Sequence, residues 1–510
     1  LGDVYKRQLY DEGWNFETIR KENLFLQKVG NCEMDESLRE RFKAEVRAMR
    51  AWTYLGMTMT FGKVPLITEV LDYNSPNIPR DEVSVIRDFI MKELTEAAAI
   101  LPEKYAGGYP NEKGRITKYA CLSLKARAAL YFGDYALAES TAKEVMDKGG
   151  FSLFKISSLS DAQKKEAEEM SLYIDFAEKG IDKDEFVKGM FNYEALWHTE
   201  NANPDNPEYI MTRQYAASSW DYQDMTRYTS MRPNQLGGWS SVTPTQNLVD
   251  AYWGVDGHSV PQLPTPEERA KAYNQIKADL DAYQKPEGEA KFIAFCQEKI
   301  KNGTLKDYKY IQEFRNRDSR MYVSILMPFK SWYESNYGDK FVYEWIKNGN
   351  NESKTGFNFR KMLSLENDAN GDGQATGDYP CIRYAEILLI YAEAHTQTTG
   401  YDAATEAALN QLRDRCGMPD VPSGLSKEEG LKLIQNERRI ELAGEGFRGD
   451  DMTRYSDDYW KEHMNNVPIM TPDGDTELTM KWSSRMRLKP IPQTAIDLNP
   501  LLAGDQNPGY

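Results

Sequence analysis

Histidine is scarce in this chain: His198, His258, His395 and His463 are the four among 510 residues. They form no HExxH motif and no close pair, so a histidine-built metal centre is not expected. Cysteine is almost as rare. Cys32, Cys121, Cys296, Cys381 and Cys416 are odd in number and widely spaced. That pattern excludes a dense disulfide framework and a cysteine zinc motif. Cys121 and Cys381 fall within apolar helical patterns and read as small core residues. Long apolar runs are absent as well. Nothing approaches the ~18 residues that span a bilayer, and the richest run, "AEILLIYAEA", has the spacing of a buried helix. Positive charge is in the minority, with 63 Lys and Arg against 79 Asp and Glu and a net charge of −16. An acidic surface repels phosphate backbones, so nucleic acid is not an expected partner.

What the chain does have is material for a large core. Hydrophobic residues make up 40%, with 31 Tyr, 19 Phe and 10 Trp, which is unlike a disordered chain. The length suits about three small domains or one large elaborated one. No low-complexity tract or linker divides it. The opening "LGDVYKRQ" lacks the basic, apolar, small-residue progression of a signal peptide. "DVYKRQ" resembles the translated end of a sequencing-library transposon adapter. Residues 1–8 are therefore expected to be a scar, the gene starting further upstream; the plainer reading is a polar tail.

The periodicity is helical. Residues 37–60 place Phe42, Val46, Met49, Trp52, Tyr54 and Leu55 near helical spacing, and Gly62 and Pro65 end the run. Residues 80–101 carry Val83, Ile86, Phe89, Ile90, Leu94 and Ala97 on one stripe, with Pro102 as the stop. Residues 115–132 and "YALAESTAKEVMDKGG" flank Gly133-Asp134. Ala120, Ala126, Ala128, Ala138 and Ala142 permit close approach of the two helices, a pattern that resembles a tetratricopeptide unit. Residues 381–397 and 401–416 form a second such pair, and 426–445 add a helix. Such pairs bury their apolar faces by stacking into a curved scaffold. Residues 200–265 and 340–380 are irregular, rich in Gly, Asn and Ser, and keep their aromatics.

Several ordered motifs resemble the SusD/RagB family of surface nutrient-binding lipoproteins of Bacteroidota. They are "AEVRAMRAWTYLGMTMTFGKVPLITE" (44–69), "GRITKYACLSLKARAALYFGDYALA" (114–138) and "PTQNLVDAYWGVDG" (244–257). There follow "RDSRMYVSILMPFKSW" (317–332) with "GFNFRKM" (356–362), "YPCIRYAEILLIYAEA" (379–394), "NERRIELAGEGFRGDDMTRY" (436–455) and the ending "QNPGY". The resemblance implies a mostly α fold, with tetratricopeptide-like helix pairs at about 37–150 and 380–450. Irregular ligand-side segments lie at about 200–265 and 340–380, all in one domain over residues 9–510. It implies non-catalytic capture of an oligosaccharide or polysaccharide at the outer-membrane surface. Delivery would be to a SusC-like TonB-dependent transporter. The family's acylated cysteine and first helices are expected to lie outside this sequence, Cys32 being too deep to serve. Absent helices predict an apolar groove near residues 40–60 or 385–395. Other readings are a peptide ligand, as in the RagB branch, a glycoside hydrolase, and a helical-repeat scaffold for protein partners. No motif positions the carboxylate pair a hydrolase needs.

Sugar rings present flat CH faces edged by hydroxyls, which aromatic faces and polar side chains match. Trp220, Tyr222, Trp239 and Tyr215, in loop-like context beside Asp221, Asn234 and Gln235, are the first ligand candidates. Trp332 and Tyr73 come next, with Tyr333 beside Trp332. The plainer reading is that each pins a loop to the scaffold. Trp52, Trp197 and Trp253 read as packing. "DANGDG" places Asp368, Asn370 and Asp372 like the first half of a calcium loop, but Tyr379 stands where the bidentate Glu belongs. That makes a weak calcium site or a solvated turn; no other cofactor is expected. The charges of "ERRIELAGEGFRGDDMTR" read as structural ion pairs rather than catalytic carboxylates. Arg383, Glu386 and Glu393, three and seven residues apart, are expected to satisfy one another or nearby backbone.

Overall fold

Helix ends in the first part of the chain are set by side chains. After α1 (Phe16–Lys28), Asp35 caps α2 (Glu36–Phe61), its carboxylate accepting from Leu38 N at 3.0 Å. Gly62 stops α2 at φ +72°, a conformation open to glycine. α3 (Val83–Ile100), α4 (Lys118–Tyr131) and α5 (Tyr135–Lys148) follow, Thr117 capping α4 and Asp134 capping α5. In α4, Ala120, Ala126, Ala128 and Ala129 are fully buried, so neighbours approach it on several sides. α2 packs on α3, α3 on α4 and α4 on α5.

The structure is a computed structural model, and it describes residues 13–72, 74–106, 112–215, 231–333, 341–363 and 377–510. Beyond α5 come α6 (Asp161–Glu169), α7 (Lys183–Ala195) and strand β1 (Tyr209–Arg213). α8 (Pro266–Ala282) starts with a Thr265/Glu268 capping box, and α9 (Lys291–Lys301) follows it. Short strands β2 (Ile325–Leu326), β3 (Ser331–Trp332), β4 (Phe341–Val342) and β5 (Asn358–Phe359) lead to β6 (Tyr379–Arg383). The last third holds α10 (Tyr384–Thr398), α11 (Ala403–Cys416), α12 (Lys427–Glu441), α13 (Phe447–Arg454) and α14 (Asp457–Met464), then a hairpin of β7 (Val467–Met470) and β8 (Thr476–Met480). The strands pair antiparallel as β1–β6, β2–β5, β3–β4 and β7–β8. The fold is mostly α, with helix pairs in series and long irregular connections. None of the described helices is long and apolar enough to cross a membrane.

The expected helices 37–60, 80–101, 115–132, 401–416 and 426–445 are α2, α3, α4, α11 and α12 within a few residues. The expected helix 381–397 begins later: residues 379–383 are β6, and the helix starts at Tyr384. Pairing with β1 draws this stretch into extended form before the helical pattern takes hold. Residues 384–394 of α10 are buried throughout. An open apolar groove of about 430 Å³ lies elsewhere than the expected windows, lined by Trp14, Phe16, Ile67, Ala495, Leu498 and Leu502 among others.

Two large apolar cores, with three smaller clusters beside them, hold the described residues. One joins α2–α5 to α10, with Tyr54, Leu124, Leu388, Leu409 and Ile434. The other gathers α7, α8 and the short strands, with Phe186, Tyr193, Met321, Trp332 and Phe359. α12 serves both, giving Ile434 to the first and Ile440 to the second. Charge fills the junction. Arg383 reaches Glu208 and Glu441 at 2.8 Å and Glu445 at 2.7 Å. Arg320 reaches Asp318 and Glu437 at 2.7 Å and Glu441 at 3.0 Å. Arg415 joins Glu208 to Glu441, Arg413 holds Glu437 at 2.6 Å, and Lys361 holds Glu445 at 2.7 Å. These side chains are at most 1% exposed. Each cation in the set meets a carboxylate, which is the condition for burying charge.

The ion-pair reading of residues 437–454 holds, and Arg383 donates to the Glu441 carbonyl, but Arg383, Glu386 and Glu393 do not pair with one another. Arg383 turns to Glu208, Glu441 and Glu445, Glu386 is bound by Arg127 at 2.6 Å, and Glu393 is bound by Arg454. Arg383 stands on a strand, so helical spacing to Glu386 does not apply to it.

Candidate functional site

The turn after α12, residues 442–446, organises the surface that carries the loop aromatics. Gly444 (φ +78°) and Gly446 (φ +90°) bend it. A Cβ built on Gly444 would stand 3.3 Å from Met231 Cε and from Phe359 Cε1, so the missing side chain leaves the space those groups fill. Tyr379 donates its hydroxyl to Glu445 O at 3.1 Å. β6, which carries Tyr379, pairs it with Arg213 at the end of β1. The turn thus seats both Met231 and the β1–β6 ribbon that leads to Tyr215.

Beyond Met231 the chain closes on itself. Residues 234–236 make a single helical turn that ends at Gly237 (φ +78°). Ser240 N donates to Arg232 O at 3.0 Å, with Ser240 at φ +47°. Gly238 lies so near Arg232 that an added Cβ would sit 2.1 Å from its carbonyl oxygen. Met231 and Leu236 are anchored in the second core. Trp239, between Gly238 and Ser240, is turned outward and is 53% exposed. Asn234 and Gln235 are exposed on the same turn, and Gln235 Oε1 accepts from Glu344 N at 3.0 Å. Burial raises the Glu344 carboxyl against the lowering effect of Lys277 on α8. The result is an indole face out in solvent, with the Asn234 and Gln235 amides on the same turn.

Tyr215 is half-buried. Its N–H donates to Asp378 Oδ1 at 3.1 Å, and the Arg213 guanidinium lies 5.1 Å from its ring centroid. Burial raises the Asp378 carboxyl. Trp332 requires a correction. It is 1% exposed, with Arg360 4.9 Å from the centroid of its ring and Phe341 edge-on at 6.4 Å. Arg360 is itself buried and Phe341 is partly so, and Trp332 is a core residue that offers no face to a ligand. Tyr333, beside it, is half-buried and donates to Glu169 at 2.5 Å. Trp197 and Trp253 are buried, as their packing role requires. Trp220, Tyr222 and Tyr73 lie outside the described residues, and so do Asp368, Asn370 and Asp372. Among the described residues no group of three or more His, Cys, Asp and Glu could hold a metal ion. Glu344, Lys277, Arg213 and Asp378 were not singled out in the sequence. Arg213 is two residues from Tyr215, whereas Asp378 reaches it from the far side of the β1–β6 ribbon, a contact set by folding rather than by local pattern.

A family model described as the SusD family matches residues 207–510. "SusD-like protein P38" of Formosa agariphila is 22% identical over 454 residues, covering 86% of this chain and 70% of that protein. Among solved structures, a SusD-like protein from Bacteroides fragilis superposes with a TM-score of 0.72 at 26% identity, covering 98% of this chain and 86% of the other. A protein described as laminarin binding and SusD-like superposes with a TM-score of 0.58 at 20% identity, covering 99% and 86%.

Proposed function

The chain belongs to the SusD family, and on that premise we propose that it binds an oligosaccharide or polysaccharide at the cell surface without altering it. The bound glycan passes to a SusC-like TonB-dependent transporter in the outer membrane. Attachment there is through a lipid anchor. The observation that carries the reading is Trp239: a large aromatic at 53% exposure, on a turn closed by its own backbone hydrogen bonds. An isolated exposed tryptophan loses apolar contact to water, whereas a sugar face restores it, and amides nearby bond the hydroxyls. Laminarin binding in a protein of the same fold supports a glycan as ligand and suggests the first probe.

The experiment is native affinity electrophoresis on gels containing laminarin or other neutral and acidic polysaccharides. At least one gel should retard the chain, and Trp239→Ala should weaken that retardation about tenfold, near the 1.4 kcal/mol such a factor represents. Unchanged retardation in Trp239→Ala would remove Trp239 from the site. A folded chain retarded by none of the gels would count against a polysaccharide ligand. A second reading, a peptide ligand, is favoured by Tyr215, whose ring is flanked by Arg213 and whose backbone is held by Asp378. Charge beside a half-covered aromatic suits a peptide better than a sugar.

A further inference from the structure

A buried ammonium lies against the turn that follows α12. Lys361 follows β5 and is 1% exposed. Its Nζ donates to Ala443 O at 2.8 Å, Glu441 O at 3.0 Å and Glu445 Oε1 at 2.7 Å. These acceptors all belong to the end of α12 and the turn that follows it. The rings of Tyr193 and Trp197 close over the same nitrogen, with centroids 5.0 and 5.1 Å away. Three acceptors converging on one nitrogen suit an ammonium, with its three donors, better than a planar guanidinium. From this turn, neighbouring groups lead towards the candidate aromatics. The turn seats Met231 against Gly444, Arg232 closes the loop of Trp239, and Glu445 O holds Tyr379 next to the Tyr215 strand.

We propose that Lys361 is the positioning residue of the ligand surface: its ammonium fixes the turn at 442–446, and the turn fixes Trp239 and Tyr215. The functional meaning of this role rests on the glycan-binding reading; the mechanical role does not. The charged and titratable groups facing Lys361 are Glu445 on the turn, Glu441 on α12, Arg383 on β6 and the Tyr193 phenol on α7. Burial pushes the ammonium down to about 8, against the pull of Glu445. Loss of its charge therefore falls in mild alkali, where it reduces both the donors and the attraction that hold the turn.

The test is hydrogen exchange measured by mass spectrometry, with rates corrected for the intrinsic effect of pH. The readout segments are residues 231–243 and 442–446, with α2 and α10 as controls. At pH 7, Lys361→Met should speed exchange in both segments about tenfold and leave the controls unchanged. Wild type moved from pH 7 to pH 9 should approach the variant, and the variant should show no further change. Unchanged segments in the variant, or equal acceleration in α2 and α10, would overturn the proposal. Should Lys361→Met not fold, wild type alone decides, because segments indifferent to pH 7–9 would overturn it equally. Laminarin retardation is recorded in parallel. Wild type that ignores laminarin counts against that glycan as ligand and leaves the exchange result to judge Lys361.

Discussion

At the scale of single residues, the carboxylate of Glu441 is the most demanding position. It meets Arg383, Arg320 and Arg415 while wholly buried. Burial pushes its carboxyl up, but the three guanidinium groups overcome this and hold it well below the usual carboxylate range. Removing the charge leaves buried cations short of a counterion, a loss that typically costs about 3–5 kcal/mol. Glu441→Gln should therefore lower the stability read from guanidinium unfolding by about that amount. Glu428→Gln, on an exposed position of the same helix, should stay within about 0.5 kcal/mol. Equal and small effects from both would refute the network's structural weight. Sequence reading recognised this segment as ion pairs from the alternation of charge with Ile440 and Leu442. It could not find the partners, because Glu208 and Arg320 come from distant segments and nothing local marks them. The same limit holds at the candidate site. Trp239 stood out as an aromatic in a Gly-rich stretch, whereas Trp332, equally aromatic and equally near irregular chain, is core. Burial by Arg360 and Phe341 separates the two, and neither contact has a short-range signature.

At the scale of elements, helical periodicity was the reliable guide. α2, α3, α4, α11 and α12 follow from apolar spacing closed by caps and glycines, since each helix carries its own start and stop chemistry. β6 was hidden because its form depends on β1, some 170 positions earlier. Helix junctions are fastened by polar contacts that periodicity does not record. His395, on the last turn of α10, meets Glu139 of α5 at 2.8 Å through Nδ1 and Asp402, the cap of α11, at 3.1 Å through Nε2. Tyr391 stacks on the ring with centroids 5.5 Å apart. Burial lowers the imidazole, but the two carboxylates outweigh it and raise the value above the ordinary 6.5. A raised histidine stabilises the fold fully below the unfolded value and loses that contribution as pH rises through the folded value. Thermal melts should therefore show wild type more stable than His395→Gln at pH 5.5, with the gap shrinking by pH 8.5. A gap that does not change with pH would show that packing, not charge, fastens the junction.

At the scale of the whole molecule, a net charge of −16 bears on attachment. A surface this acidic gains little from anionic headgroups, so the proposed residence at a membrane would rest on a lipid or on a protein partner. The transporter reading makes the partner concrete. The tagged, full-length lipidated protein, extracted from outer membranes in mild detergent, should copurify with a TonB-dependent barrel. A lipidated chain that elutes alone would refute the pairing. The family was legible from ordered motifs between residues 44 and 510, because each joins an apolar helical pattern to its own stop or turn residues. The ligand was not, because recognition depends on a few side chains presented by irregular segments.

The charged junction between the two cores also sets an order of events during synthesis. Arg127 waits for Glu386, 259 positions later, and Glu208 waits for Arg383 and Arg415, 175 and 207 positions later. Until Glu441 and Glu445 have left the ribosome, Arg383 and Arg415 have only Glu208 to share among these carboxylates. The first helices, held by local contacts, can form as they emerge. The junction between the cores closes only once the chain has passed residue 445, so a nascent chain stalled before that point remains open at its centre and exposed to proteases.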